Sequence, residues 1–225
     1  MLAVNRVYVT HYLPLTERKE RMEEQLAVCG ISPVWITREP HEKDIDLWCD
    51  FSENSWHLKN SKVPYSSAVP YKVLNRAEIS LSFKHIEVYE NMLRNNISSA
   101  LVLEDDAVFD KSFVNEFNMN LYRTPKDWDF IFIGSGCDLR VENRKIQEGK
   151  VAYLRDHPAS KCTDSYVISI DSARKVLDTI NPFSFPIDFE LNYQMALHNM
   201  NVYWWEPPLV RQGSQCGLYK SKIQQ

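Results

Sequence analysis

Apolar residues fall along this chain in two rhythms. Short unbroken runs of β-branched and aromatic residues alternate with longer stretches in which apolar positions recur every three or four residues. The runs Arg6 to Tyr12 (RVYVTHY), Val34 to Thr37, Ala100 to Leu103, Trp128 to Gly134, Ser165 to Ile170 and Val202 to Trp205 predict strands, and Lys150 to Leu154 a short edge strand. Helical spacing predicts helices over Thr16 to Cys29, Asn75 to Arg94, Ser112 to Leu121, Ser172 to Ile180 and Phe189 to His198. Thr16 and Asp171 are the expected helix caps, and Gly30 the expected stop. In the second helix Ile79, Phe83, Ile86, Met92 and Leu93 make an apolar stripe, with Glu78 and His85 seven residues apart on one face. Alternating strands and helices predict an α/β fold with a mainly parallel sheet flanked by helices, in one domain spanning 1–225. Glu39 to Tyr71 breaks the rhythm. It is polar and carries Pro40, Pro64 and Pro70, so a long, partly ordered surface insertion or a lid is expected there.

At one point the pattern changes sign abruptly. Ala100 to Leu103 is apolar throughout, as a strand buried on both faces would be, and Glu104-Asp105-Asp106 follows at once. Three adjacent carboxylates repel one another unless water, a base or a cation relieves them. A solvated turn capping the next helix answers to the same pattern. Placed at the carboxyl end of a buried strand, where open α/β sheets bind ligands, the triplet also suits a hard divalent cation. Mn²⁺ or Mg²⁺ takes one or two carboxylates plus substrate phosphates. Side chains alternate along extended backbone, which favours Glu104 with Asp106 as ligands and leaves Asp105 to orient a sugar or ribose.

Composition excludes several alternatives. With 44% hydrophobic and 25% charged residues, the 225-residue chain can bury a core without staples. A net charge of −4 and the lack of a basic run argue against nucleic acid as a partner. There is no G-x-G-x-x-G or Walker sequence. Five cysteines without a C-x-x-C pair predict reduced thiols and a cytoplasmic protein, either free or peripheral at a membrane face; no apolar run has membrane-spanning length.

Four segments in order resemble glycosyltransferase family 25, the lipopolysaccharide and collagen glycosyltransferases. They are RVYVTHYLPLTERKERMEEQL, AEISLSFKHIEVYENML, LVLEDDAVF, and SYVISIDSARKVL followed by PID. The closing PPLVRQGSQCGLYKSKI is similar to the family's C-terminal end. In the second segment Glu78, Ile79 and His85 match the family's E-I-G-C-x-L-S-H, whereas Ser80 replaces its glycine and Lys84 its serine. The Glu39–Tyr71 insertion and Asp138–Lys150 lie outside the resemblance.

The resemblance implies a GT-A-like nucleotide-diphospho-sugar transferase fold. It also implies a metal-dependent, inverting transfer of a sugar from a nucleotide sugar, by family habit galactose from UDP-galactose, to a hydroxyl of a glycan or glycoconjugate. Loss of a diphosphate leaving group calls for charge compensation, which a carboxylate-held cation supplies. Asp106 is the first candidate ligand, then Glu104 or Asp105, with Gln212 and Ser214 reaching the metal and phosphates if the tail folds over the site. Inverting transfer needs a base for the acceptor proton. Asp188, matching the family's P-V-D aspartate, is the candidate, with Glu190 as its substitute; a helix cap is the competing role for Asp188. Thr10 and His11 end the first strand, where a nucleotide base would lie. Arg18 can approach a diphosphate as a fork of donors, though a solvated helix charge is its commoner role. Glu78 and His85 complete the expected donor-binding residues. The competing function is a noncatalytic sugar- or nucleotide-binding domain that keeps the fold.

Overall fold

The computed structural model describes residues 1–62, 71–155 and 160–219. The first half builds a β-α-β unit from Arg6–Thr10 (β1), Thr16–Val28 (α1) and Val34–Ile36 (β2). Next come Glu42–Trp48 (α2), Glu53–Asn60 (α3), the long helix Arg76–Arg94 (α4) and the strand Ser99–Glu104 (β3). Ala107–Val108 (β4), Phe113–Arg123 (α5), Phe130–Phe132 (β5), Ala152–Leu154 (β6) and Ser165–Ser169 (β7) follow. Ile170–Thr179 (α6), Ile187–Leu197 (α7), Val202–Trp205 (β8) and Arg211–Gln212 (β9) complete the described elements.

Seven strands form one sheet in the order β2-β1-β3-β7-β5-β8-β6. Five run in one direction; β7 and β6 oppose them. The expected α/β class therefore stands. Each strand splits its side chains between two cores, as a period of two requires. Tyr8, Val102, Tyr166, Phe132 and Trp204 face α4, α6 and α7. Val9, Leu103, Val167, Ile131 and Trp205 face α1 and α5. The chain leaves β1 toward β2 by way of α1 on one face and returns to β3 by way of α4 on the other. The carboxyl ends of β1 and β3 therefore flank a topological switch point, where such sheets open a crevice.

Three local expectations are corrected. Thr16 lies inside α1, whose cap position is Leu15, without a side-chain cap bond. Ser169, not Asp171, caps α6: its Oγ accepts the Ser172 amide at 3.2 Å, so strand passes into helix without a loop. The stretch expected as a polar excursion carries α2 and α3. Ile45 and Trp56 are their buried apolar anchors, with Trp48 packed partly buried against the core. Trp56 meets the Phe185 ring edge-on at 4.4 Å between centroids. The Asp50 amide donates to Phe183 O at 2.9 Å, which ties the excursion to the segment before α7. One fully buried position per short helix leaves too little periodic trace in the sequence. Residues 63–70 of that expected insertion, and 220–225 of the expected tail, lie outside the described residues.

The tail does fold back. β9 pairs with β4 in antiparallel register, Gln212 opposite Ala107. The Gly213 amide donates to Asp106 O at 2.8 Å. A Cβ at Gly213 would stand 2.8 Å from the same oxygen, so the approach requires glycine.

Candidate active site

The switch point opens into a cleft of about 590 Å³. Its floor is the end of β1 (Thr10, His11) and the acids after β3 (Glu104, Asp105, Asp106). Arg18 of α1, Ser80 and Lys84 of α4, Glu39 beyond β2, and Gln212 and Ser214 of the tail form its walls. Of the residues expected from sequence, Thr10, His11, Arg18, Glu104, Asp105, Asp106 and Gln212 thus meet in one place. Glu78, His85, Asp188 and Glu190 do not line it.

The adjacent carboxylates have different fates. Asp105 Oδ2 is 2.8 Å from His11 Nδ1 and accepts the Tyr12 amide at 3.4 Å. Its Oδ1 accepts from Arg18 Nη1 at 2.9 Å. Both oxygens are therefore occupied, and Asp105 holds Arg18 and His11 in position. Arg18 is not a solvated charge: it is mostly buried and its guanidinium lies 5.0 Å from the Tyr219 ring centroid.

Asp106 points elsewhere. Its Oδ2 accepts the Ser214 amide at 3.2 Å, but its Oδ1 is buried with no hydrogen-bond partner. Burial first, then Glu104 nearby, pushes its carboxyl up to about 6. Gln212 Oε1, one residue beyond the Gly213 contact, is likewise buried and unpartnered. Two orphaned oxygens from Asp106 and Gln212 are donors that fit a hard cation whose remaining ligands are water and phosphate. Among the described residues no three His, Cys, Asp or Glu side chains gather closely enough to enclose a metal by themselves. The donor set suits an ion shared with a substrate, not a closed structural site.

Behind Glu104 lies a second acidic group that sequence reasoning missed. Glu104 Oε1 accepts from Thr163 Oγ1 at 2.6 Å, and the Glu104 amide donates to Asp164 O at 3.0 Å. Asp164 is fully buried. Desolvation first, with Glu104 adding to it, raises its carboxyl well above the usual range. The turn Gly134-Ser135-Gly136 cradles it: a Cβ at Gly134 would overlap Asp164 Oδ2, and one at Gly136 would come within 2.6 Å of Oδ1. The available signal was that G-x-G, two glycines marking a close approach after a strand.

Asp188 sits in the first turn of α7, whose cap position is Pro186. It is not the cap, though its Oδ1 accepts the Phe189 amide at 3.0 Å. Burial chiefly, with Glu104 also contributing, raises its carboxyl to about 6. Asp188 therefore shares the field of Glu104 although it does not line the cleft.

The remaining candidates have structural partners. Glu190 is fully buried and takes Lys59 Nζ at 3.0 Å and the Ser184 amide at 3.2 Å. Glu78 closes a capping box with Asn75 at the start of α4 and pairs with Lys72. His85 is buried, 2.7 Å from the Tyr166 hydroxyl, with Nε2 3.9 Å from Glu104 Oε1. At the two positions where the chain departs from the family pattern, Lys84 Nζ donates to Ser80 Oγ at 2.6 Å and pairs with Glu39. The departures thus form a linked polar wall of the cleft.

No helix among the described residues is long and apolar enough to cross a membrane. The profile of glycosyltransferase family 25 (LPS biosynthesis protein) matches residues 14–191. The chain is similar to human procollagen galactosyltransferase 2, with 31% identity over 65% of this chain and 23% of the relative. It is also similar to zebrafish (Danio rerio) procollagen galactosyltransferase 1, with 28% identity over 78% of this chain and 29% of the relative. The chain thus spans about a quarter of the length of these curated relatives. Among solved structures, a glycosyltransferase involved in glycosylation of the major capsid of PBCV-1 aligns with a TM-score of 0.47 and 11% identity over 92% of each chain. With a family match that spans most of its length, the mixed α/β sheet and the acid-floored cleft, the chain belongs to glycosyltransferase family 25.

Proposed function

We propose that the chain transfers a sugar from a nucleotide diphosphate donor to a hydroxyl of a glycan or glycoconjugate, with inversion at the anomeric carbon. UDP-galactose is the donor that similarity to the procollagen galactosyltransferases favours. The observation that carries the reading is the pair of buried, unpartnered oxygens on Asp106 and Gln212 in a cleft that also holds Arg18. Asp106 and Gln212, with Glu104 beside them, would hold Mn²⁺ or Mg²⁺. Such an ion, when bound, supplies charge compensation for the departing diphosphate.

The residues divide the remaining work. Arg18, fixed by Asp105, presents its guanidinium to a diphosphate oxygen. Thr10 and His11 border the space for the nucleoside. Asp188 accepts the proton of the acceptor hydroxyl as that oxygen bonds to the anomeric carbon and the carbon–oxygen bond to the diphosphate breaks. Its carboxyl, raised to about 6, suits a base working near neutrality. Glu190, saturated by Lys59 and backbone amides, has no oxygen left for that task.

The test is release of free UDP from UDP-galactose in the presence of Mn²⁺, with water or a galactosyl acceptor. A panel of UDP-sugars reads the sugar preference. Turnover with one of them supports transfer. Tight UDP binding without turnover of any of them supports the competing reading, a noncatalytic nucleotide-binding domain, for which the Lys84–Glu39 pair in the cleft wall is the specific argument.

A further inference from the structure

Cys137 follows the glycine cradle of Asp164, and Cys162 precedes Asp164 by two residues. Their Sγ atoms stand 2.8 Å apart across 25 residues of chain. That is inside the contact distance of two unbonded sulfurs, and it puts the pair within a small adjustment of bonding geometry. The backbone gives a second, independent sign. Cys137 and Asp138 are consecutive non-glycine residues with positive φ, 56° and 52°. Such conformations persist only where surrounding structure holds them. Gly136 also presses against the partner segment: a Cβ there would lie 2.6 Å from Cys162 Cβ and 2.8 Å from its amide nitrogen.

We propose that Cys137 and Cys162 form a disulfide that staples the Gly134–Gly136 turn to the segment leading into β7. This replaces, for these two residues, the expectation of reduced thiols. The two cysteines bracket Asp138–Lys150, so the bond closes a loop that contains this stretch. It also fixes the cradle around Asp164, whose neighbour Lys161 donates to Gly134 O at 2.9 Å.

Oxidation uses a small disulfide such as oxidised glutathione. Cys137 is exposed, and its thiol is held below the usual range by the hydrogen bond from Cys162. Its thiolate attacks one sulfur of the oxidant and expels the other as a thiolate. Cys162, deprotonated, then attacks the Cys137 sulfur and releases the second thiolate. Two thiols lose two protons and two electrons, and the oxidant is reduced to two thiols. The bond persists where the surroundings are oxidising and opens where a reducing thiol pool prevails.

The test equilibrates the full chain with a glutathione buffer of oxidising poise, blocks free thiols, and digests without reductant. Mass spectrometry should find the Cys137 and Cys162 peptides joined, with blocked thiols reduced to three of the five cysteines. Five blocked thiols, or a different pairing, overturn the proposal. The melting temperature of the oxidised chain should exceed that of the reduced chain by about 5–10 °C. The double variant Cys137→Ser/Cys162→Ser should melt at one temperature in either buffer. A parent indifferent to reductant, or a double variant that responds equally, also overturns it. The linked-peptide readout requires no variant, so a folding defect in the double variant leaves the proposal testable.

Discussion

Two acidic regions meet at Glu104, and they are built on opposite principles. On the cleft side Asp105 is neutralised where it stands, with His11, Arg18 and a backbone amide on its two oxygens. By contrast Asp106, which shares that cleft floor, and Asp164 and Asp188 are each raised by burial and by Glu104. The first region is complete without a ligand. The second carries more negative charge than its protein partners relieve, and Asp106 and Asp164 each keep a buried unpartnered oxygen. Buried carboxylates in that condition cost stability unless a proton or a cation joins them. The difference separates a carboxylate whose charge is met by protein partners from carboxylates whose charge is not.

The comparison breaks most sharply at Asp188. Asp188→Asn removes the proposed base but keeps an oxygen for the Phe189 amide, so turnover should fall about 10²–10⁴-fold. UDP affinity, measured by calorimetry, should stay at the parent value. Parent-like turnover in this variant removes Asp188 from the mechanism. Gly134→Ala tests the cradle. Its methyl group would overlap the Asp164 carboxylate, and overpacking of that kind should lower stability by about 1–3 kcal/mol in a denaturant titration. Equal stability would mean that the cradle is loose.

Arg18→Ala strikes the completed region. It should weaken UDP about tenfold or somewhat more, in the range of one charge-assisted hydrogen bond, and leave metal dependence unchanged. Unaltered UDP affinity would return Arg18 to a purely packing role.

The smallest expected effect is a pH dependence of stability. The Asp188 carboxyl is raised from 3.8 to about 6 in the fold. Between those values the folded chain keeps a proton that the unfolded chain has lost. This group's favourable contribution is therefore complete below the window and declines as pH rises through about 6. Asp188→Asn, which does not ionise, should gain melting temperature relative to the parent across that window and hold the gain above it. A constant difference from pH 3 to pH 8 would mean that the Asp188 carboxyl is not shifted. Turnover of the parent should fall in parallel as pH drops below about 6, because the proposed base is then protonated.

Much of this was legible from residue order. The runs at β1, β3, β5, β7 and β8 are apolar on both faces, and that alone marks buried sheet. Glu104-Asp105-Asp106 announced the site because a charge triplet cannot continue a buried strand. What the sequence could not carry was partnership. Asp105 and Asp106 read alike, yet only one finds His11 and Arg18. Glu78 and Glu190 look as free as Asp188, but the first is taken by the α4 capping box and the second by Lys59. Asp164 escaped notice because its meaning depends on the Gly134–Gly136 turn, distant in sequence and adjacent in space. The helices α2 and α3 were hidden by having one buried anchor apiece.

The orphaned oxygens of Asp106 and Gln212 are proposed to await a cation shared with a nucleotide diphosphate. Isothermal calorimetry of UDP binding, with Mn²⁺ and with a chelator, on the parent and on Asp106→Asn, tests it most directly. The parent should lose about 100-fold or more in UDP affinity when the metal is removed. Asp106→Asn should bind UDP at the weak, chelator-treated level in either buffer, with a melting temperature no lower than the parent's. UDP affinity in Asp106→Asn equal to the parent's, with the same response to Mn²⁺, would contradict the claim.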